Sequence, residues 1–336
     1  MAAQMYDEEQ MDSEHRVVAV EGIEAVHAGE DLDGLPFDCW WIGFLKLILK
    51  HHGVDVPYPY LLGLSGEAFS IHYESGNPER AQRIWTYEGG DDTDFLNRAC
   101  RAFGFAFTVH RPDGFEHALA EVRAQIDDDQ PVLISCGHGP ALVVGYHVPE
   151  GIYAWIHPER LYAKVDDHGW VIPETLEEHW SKARLPFGEP SPFLSLTFRQ
   201  VAEPRDEAEA VREALRAAVT QAGDVTSARF PDLRRGDAAW AAWIDDLQAG
   251  RAREPFLYGR FLSTLVCRRL AAAALCCRAA EILPDSADAL TAAAGTYDAL
   301  AAGLHSPAEA GPDAPTAVET LRQAAANDRA AVAGLP

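Results

Sequence analysis

Covalent chemistry in this chain points first to Cys39, in the run FDCWWIGFLKLILKHHG. A cysteine in the first turn of a helix meets the positive end of the helix dipole and unpaired backbone N–H groups. Both favour thiolate, the reactive form, so the position suits a nucleophile. The competing reading is a small buried hydrophobe, the commonest role of a free cysteine. Other chemistries find less support. The remaining cysteines, Cys100, Cys136, Cys267, Cys276 and Cys277, make no CxxC pair, and no Cys/His set has zinc-finger spacing. GLSGEAF (63–69) lacks the Gly-Lys-Ser/Thr ending of a phosphate loop. His51-His52 at a helix end reads as capping, and Cys276-Cys277 as packing within an alanine-rich helix. Neither a metal nor a cofactor is expected.

The elements around Cys39 are legible. Asp38 is the predicted N-cap, and the helix runs from Cys39 to His52 and stops at Gly53. Lys46, Lys50, His51 and His52 lie toward its negative end. Its first three turns have almost no polar face, which places it inside a domain. Residues 16–23 read as a strand, 28–36 as a turn-rich loop, and 54–66 as a Pro/Gly-punctuated connection with one helical turn at 60–63. Helices are expected at 92–103 and 115–127, and a strand at 105–112. PVLISC (131–136), ALVVGYHV (141–148), GIYAWIHP (151–158), two strands within 161–173, and FLSLTFRQV (193–201) complete the strand pattern. Their short connections imply antiparallel pairing. From Pro204 alanine dominates, with helices expected near 205–221, 236–249, 255–283, 285–303 and 314–333, and a loop at 305–315. The fold class is therefore α+β, divided into 1–203 and an all-α 204–336.

FDCWWIGFLKLILKHHGVDVPYPYLLGLSG resembles the nucleophile helix of papain-like cysteine peptidases and acyltransferases, and within them the N-terminal domain of the butirosin-biosynthesis-H type. PVLISCGHGPALVVGYHVPEGIYAWIHP is similar to the family's second half: a strand, a loop carrying the catalytic His, the next strand, and a turn bearing an Asp. The helical second part is similar too, at GDAAWAAWIDDL and FLYGRFLSTLVCRRLAAAA. The resemblance implies a papain-like domain with its nucleophile helix on an antiparallel sheet. Cys39 takes the nucleophile position. His138 is the candidate base, one residue beyond the family spacing, a shift that a Gly-His-Gly-Pro loop accommodates. His157 stands where the family has the orienting Asp, with Asp166 and Asp167 the nearest other acids. Asp33 stands at the oxyanion-side Gln, where a carboxylate repels a developing oxyanion. In that reading the Cys39 N–H remains as the donor.

Lys+Arg number 28 and Asp+Glu 52, a formal charge of -24. Such a surface disfavours nucleic acid and acidic membranes. The first fifteen residues have no basic and apolar signal pattern, and the longest apolar stretch is too short for a span, so a cytoplasmic protein is expected. Three functions compete: cysteine-dependent acyl transfer or hydrolysis of a thioester or amide in a biosynthetic or processing pathway, a catalytically degenerate binding module for a peptide or small metabolite, and a scaffold built on the helices. The expected partner is a small-molecule or peptide acyl substrate, with a carrier protein as a candidate and a homodimer left open.

Overall fold

The computed structural model describes residues 16–20, 23, 30–75, 94–135, 140–148, 153–156, 194–223, 233–253, 255–312 and 316–336. The architecture is α+β, with an antiparallel sheet in the first part and helices in the second.

Helix α1 (Trp40–His51) is the apolar helix, buried from Trp40 to Leu49. Cys39, rather than Asp38, holds its N-cap position. The Asp38 carboxyl turns instead toward Thr264. The helix ends in a Schellman arrangement: Val54 N–H donates to Leu49 O and Gly53 N–H to Lys50 O, with Gly53 at φ +81. Helix α2 (Tyr58–Ser65) follows. It is longer than the single turn expected, because Pro59 falls at the tolerant start of the helix.

The main sheet is built from β1 (Arg16–Ala19), β5 (Phe105–His110), β6 (Val132–Ser135), β7 (Pro140–Val148), β8 (Tyr153–Ile156) and β9 (Leu194–Gln200). Their order is β1-β7-β6-β9-β5, with β8 on the other edge of β7. Every pairing is antiparallel. Alternation splits the strands cleanly between two faces. Val132, Ile134, Ala141 and Val143 pack with Val122 and Ile126 of α4 (Phe115–Asp127). Leu133, Leu142, Leu196 and Phe198 join the cluster that contains α1. The sheet thus carries α4 on one side and the Cys39 helix on the other. The two strands expected within 161–173 lie outside the described residues.

Helix α3 (Asp94–Ala102) precedes β5. The second part holds α5 (Glu207–Ala222), α6 (Gly236–Gln248), α7 (Pro255–Ile282), α8 (Ala287–Ala310) and α9 (Ala317–Ala333). Asp206 caps α5 by accepting from Glu209 N–H. The loop expected from residue 305 begins later, because α8 continues to Ala310 through helix-forming Ala308, Glu309 and Ala310.

The two parts interlock. Strand β4 (His72–Glu74) pairs antiparallel with β10 (Leu233–Arg235), a short strand that the all-α expectation for 204–336 did not include. A Cβ on Gly63 would sit 2.6 Å from the Cβ of Leu275, so α2 lies directly against α7. The segment joining the parts is pinned: Val201 and Ala202 N–H donate to Gly104 O, and Arg205 N–H to Ala102 O. One hydrophobic cluster includes Leu61, Phe95, Trp243, Leu275 and Tyr297. No helix among the described residues is long and apolar enough to cross a membrane.

Candidate functional site

Asp33 and Gly34 form the two-residue turn between β2 (Asp31–Leu32) and β3 (Leu35–Pro36), both with positive φ. An Asp-Gly pair suits such a hairpin, because its turn twists with the strands. The turn aims Asp33 at the start of α2. Its Oδ2 accepts from Tyr58 N–H at 2.8 Å and from Lys46 Nζ at 2.8 Å. Burial opposes ionisation of Asp33, but the hydrogen bonds from Lys46 and Tyr58 outweigh it and hold the carboxyl below its ordinary range. Lys46, buried in the middle of α1, also donates to Val56 O at 2.9 Å.

Cys39 closes the arrangement. Its carbonyl accepts the first bond of α1, from Gly43 N–H at 2.9 Å. Its own N–H donates to Tyr58 Oη at 2.9 Å. That N–H, left over as an oxyanion donor in the sequence reading, therefore already has a partner. The residue is only 6% exposed, and burial pushes the thiol up to about 12. Arg268 and a backbone hydrogen bond at Ile42 pull the other way, while Glu67 and Asp38 add to the rise. Burial outweighs the pull of Arg268 and the first-turn backbone hydrogen bond, so the resting group is a thiol at neutral pH.

Helix α7 supplies the other wall. Cys267 Sγ donates to Pro36 O at 3.2 Å, and its thiol is held high by burial, with Asp38 and Cys39 as neighbours. Arg268 pairs with Glu67 at 3.2 Å and reaches Ser70 Oγ. Arg260 stacks 5.5 Å above the Trp40 ring. Asp38 faces Arg260, Arg268 and Thr264, yet burial raises its carboxyl to about 6. Ionised Asp38 therefore weighs against the folded state at pH 7. The penalty fades as pH falls from about 6 and is gone only below the ordinary value of 3.8, where folded and unfolded forms are both protonated. Two units at about 1.4 kcal/mol each set an upper bound on the order of 3 kcal/mol. Asp38→Asn should raise thermal stability at pH 7 and leave it nearly unchanged at about pH 3, below the ordinary carboxyl value. Arg268 keeps Glu67 and Arg260 keeps Trp40, so neither cation is stranded. An equal gain at both pH values would contradict the assignment.

Of the residues singled out from sequence, Cys39 and Asp33 thus meet through Tyr58. His138, His157, Asp166 and Asp167 lie outside the described residues. Among the described residues, no three His, Cys, Asp or Glu side chains gather as metal ligands. Tyr58, Cys267 and Arg268 were not foreseen. The one sequence signal for Arg268 is its place beside Arg269 in the otherwise apolar run FLSTLVCRRLAAAA.

Cys39 thus heads a buried helix whose core is shared with the antiparallel sheet and the helices of the second part. Residues 41–138 match the family model described as butirosin biosynthesis protein H, N-terminal. The match begins two residues beyond Cys39 and ends on His138. No curated protein matches the chain.

Proposed function

We propose that this chain performs cysteine-dependent acyl transfer in a biosynthetic pathway, in the cytoplasm, with Cys39 as acceptor of an acyl group from a thioester or amide. The observation that carries this reading is the position of Cys39 at the N-terminus of α1, with Arg268 and the first-turn backbone near its sulfur. The family description of residues 41–138 supports the pathway context. Because the resting group is a buried thiol, proton removal accompanies arrival of the acyl donor. His138 is the proposed base, with His157 or an acid nearby as its orienting partner. A small molecule, a peptide or an acylated carrier protein supplies the acyl group.

Incubation with S-acetyl-N-acetylcysteamine at pH 7, followed by intact-mass and peptide mapping, tests this. Wild type should gain one acetyl group on Cys39, and Cys39→Ala should gain none there. A wild type that stays unmodified at Cys39 overturns the proposal. It would favour a binding module, a reading for which the engagement of Cys39 N–H by the Tyr58 hydroxyl is the motivating observation. Cys39→Ala would then retain full ligand affinity.

A further inference from the structure

Two hydrogen bonds link the hairpin to the cysteine through Tyr58. Asp33 Oδ2 accepts from Tyr58 N–H, and Tyr58 Oη accepts from Cys39 N–H. The Tyr58 ring is wholly buried and meets Phe37 edge-on, centroids 6.4 Å apart at 82°. Phe37 cannot yield easily, since it also packs edge-on against Phe44 and a Cβ on Gly43 would lie 2.0 Å from its ring. The phenol ring is thus fixed in position.

A tyrosine hydroxyl that accepts one hydrogen bond still has its own O–H to donate. An amide donating into that oxygen polarises the O–H and strengthens it as a donor. Burial holds the Tyr58 phenol well above its ordinary value, with Cys267 and Cys39 as electrostatic neighbours, so it stays protonated. Asp33 cannot donate to an oxyanion, because it is an ionised acceptor already engaged by two donors.

We infer that the Tyr58 hydroxyl is the donor that meets the acyl carbonyl oxygen when Cys39 attacks, with Asp33 as a positioning residue acting through the Tyr58 backbone. This rests on the acyl-transfer reading above. For a thioester donor, Cys39 Sγ bonds to the acyl carbon and the carbonyl electron pair moves onto oxygen, where Tyr58 O–H holds it. The pair returns as the carbon–sulfur bond of the donor breaks. The departing sulfur takes the proton that Cys39 gave up, so one thioester and one thiol become another thioester and thiol.

The test compares two reactions at Cys39 of the full chain. Acetylation by S-acetyl-N-acetylcysteamine passes through an oxyanion, whereas alkylation by iodoacetamide does not. Tyr58→Phe should slow acetylation about 100-fold, the scale of one lost oxyanion donor. Its alkylation rate, corrected for the measured change in stability, should stay within about threefold of wild type, with acetylation lost in kcat rather than KM. Asp33→Ala should slow acetylation about tenfold through misplacement of the ring. Asp33→Asn, whose amide oxygen still accepts from Tyr58 N–H, should restore it. That pair decides the matter if Tyr58→Phe does not fold. Equal acetylation rates in wild type, Tyr58→Phe and Asp33→Ala overturn the assignment and leave the acyl-transfer reading intact. A wild type that alkylates at Cys39 but never acetylates overturns both.

Discussion

Arg269→Ala is expected to destabilise the protein by about 3–5 kcal/mol, because it strands a buried carboxylate. The Arg269 side chain is fully buried in α7. Its Nη2 lies 2.7 Å from Asp328 Oδ2 on α9, and its Nη1 donates to Ala68 O at 2.8 Å and Ser70 O at 3.2 Å. Without it, Asp328 keeps, among the described residues, the Trp240 indole donor at 2.9 Å, and two interior carbonyls lose a donor. A buried ion pair adds little beyond an apolar replacement of similar size, whereas half of one costs much. Arg269→Met with Asp328→Leu should therefore recover most of the loss. Arg269 also joins α7 and α9 to the segment after α2, so we predict that the parts before and after residue 203 unfold together. Tryptophan fluorescence and far-ultraviolet circular dichroism should give coincident urea transitions. A loss below about 1 kcal/mol, or two separated transitions, would refute the interlocked core.

The elements were legible where apolar spacing was regular over enough residues. The all-apolar faces of α1 announced a buried helix, and the four-residue spacing from Val122 to Ile126 located the buried face of α4. Strands β5 to β9 showed as β-branched and aromatic runs between turns. Short links gave β6, β7 and β8 as antiparallel neighbours, but the partners of β5 and β9 did not show. β9 lies between β6 and β5, far from both in sequence, and alternation reveals a face without naming a neighbour. The β2–β3 hairpin was hidden because two-residue strands are too short to show a period, though Asp33-Gly34 carried the turn signal. Helix α2 was shortened in the reading by Pro59 and Gly63. Pro59 sits where a helix tolerates proline, and Gly63 is required by the close approach of Leu275.

The site was legible only along the chain. Cys39 could be found from its place before an apolar run. The effect of that place could not be read locally, because burial is a tertiary property and here exceeds the pull of Arg268 and the first-turn backbone. Asp33 was read through the family pattern as a lost amide donor. In the fold it holds Lys46 and the first N–H of α2, roles set by residues distant in sequence. Arg268 and Glu67 are 201 positions apart (268 minus 67), so no local rule joins them. Charges are usually assigned to the surface from composition, and interior pairs escape that rule until both partners are seen.

Trp243→Ala should cost about 3–5 kcal/mol, and its effect should reach Cys39. Trp243 is fully buried in α6, with Phe261 edge-on at 4.2 Å, Trp240 stacked at 5.8 Å and Tyr258 at 5.9 Å. From the first part, Tyr73 of β4 stacks on it at 6.3 Å and also meets Phe261. Removing the indole opens a cavity that its neighbours, each fixed by another ring, fill poorly. Geometry adds to area, since each well-oriented aromatic pair contributes about 0.5–1.5 kcal/mol. Trp243→Phe keeps much of the ring contact and should cost less than half as much. Cys39 and this cluster both belong to one continuous core. If that core opens as a unit, reagents reach the 6%-exposed Cys39 through the same opening that the cavity promotes. Iodoacetamide labelling of Cys39 should then accelerate in proportion to the measured loss of stability, and more for Trp243→Ala than for Trp243→Phe. Labelling that stays constant across the series while stability falls would mean that Cys39 is reached by a local opening of α1, and the two regions would have to be treated as energetically separate.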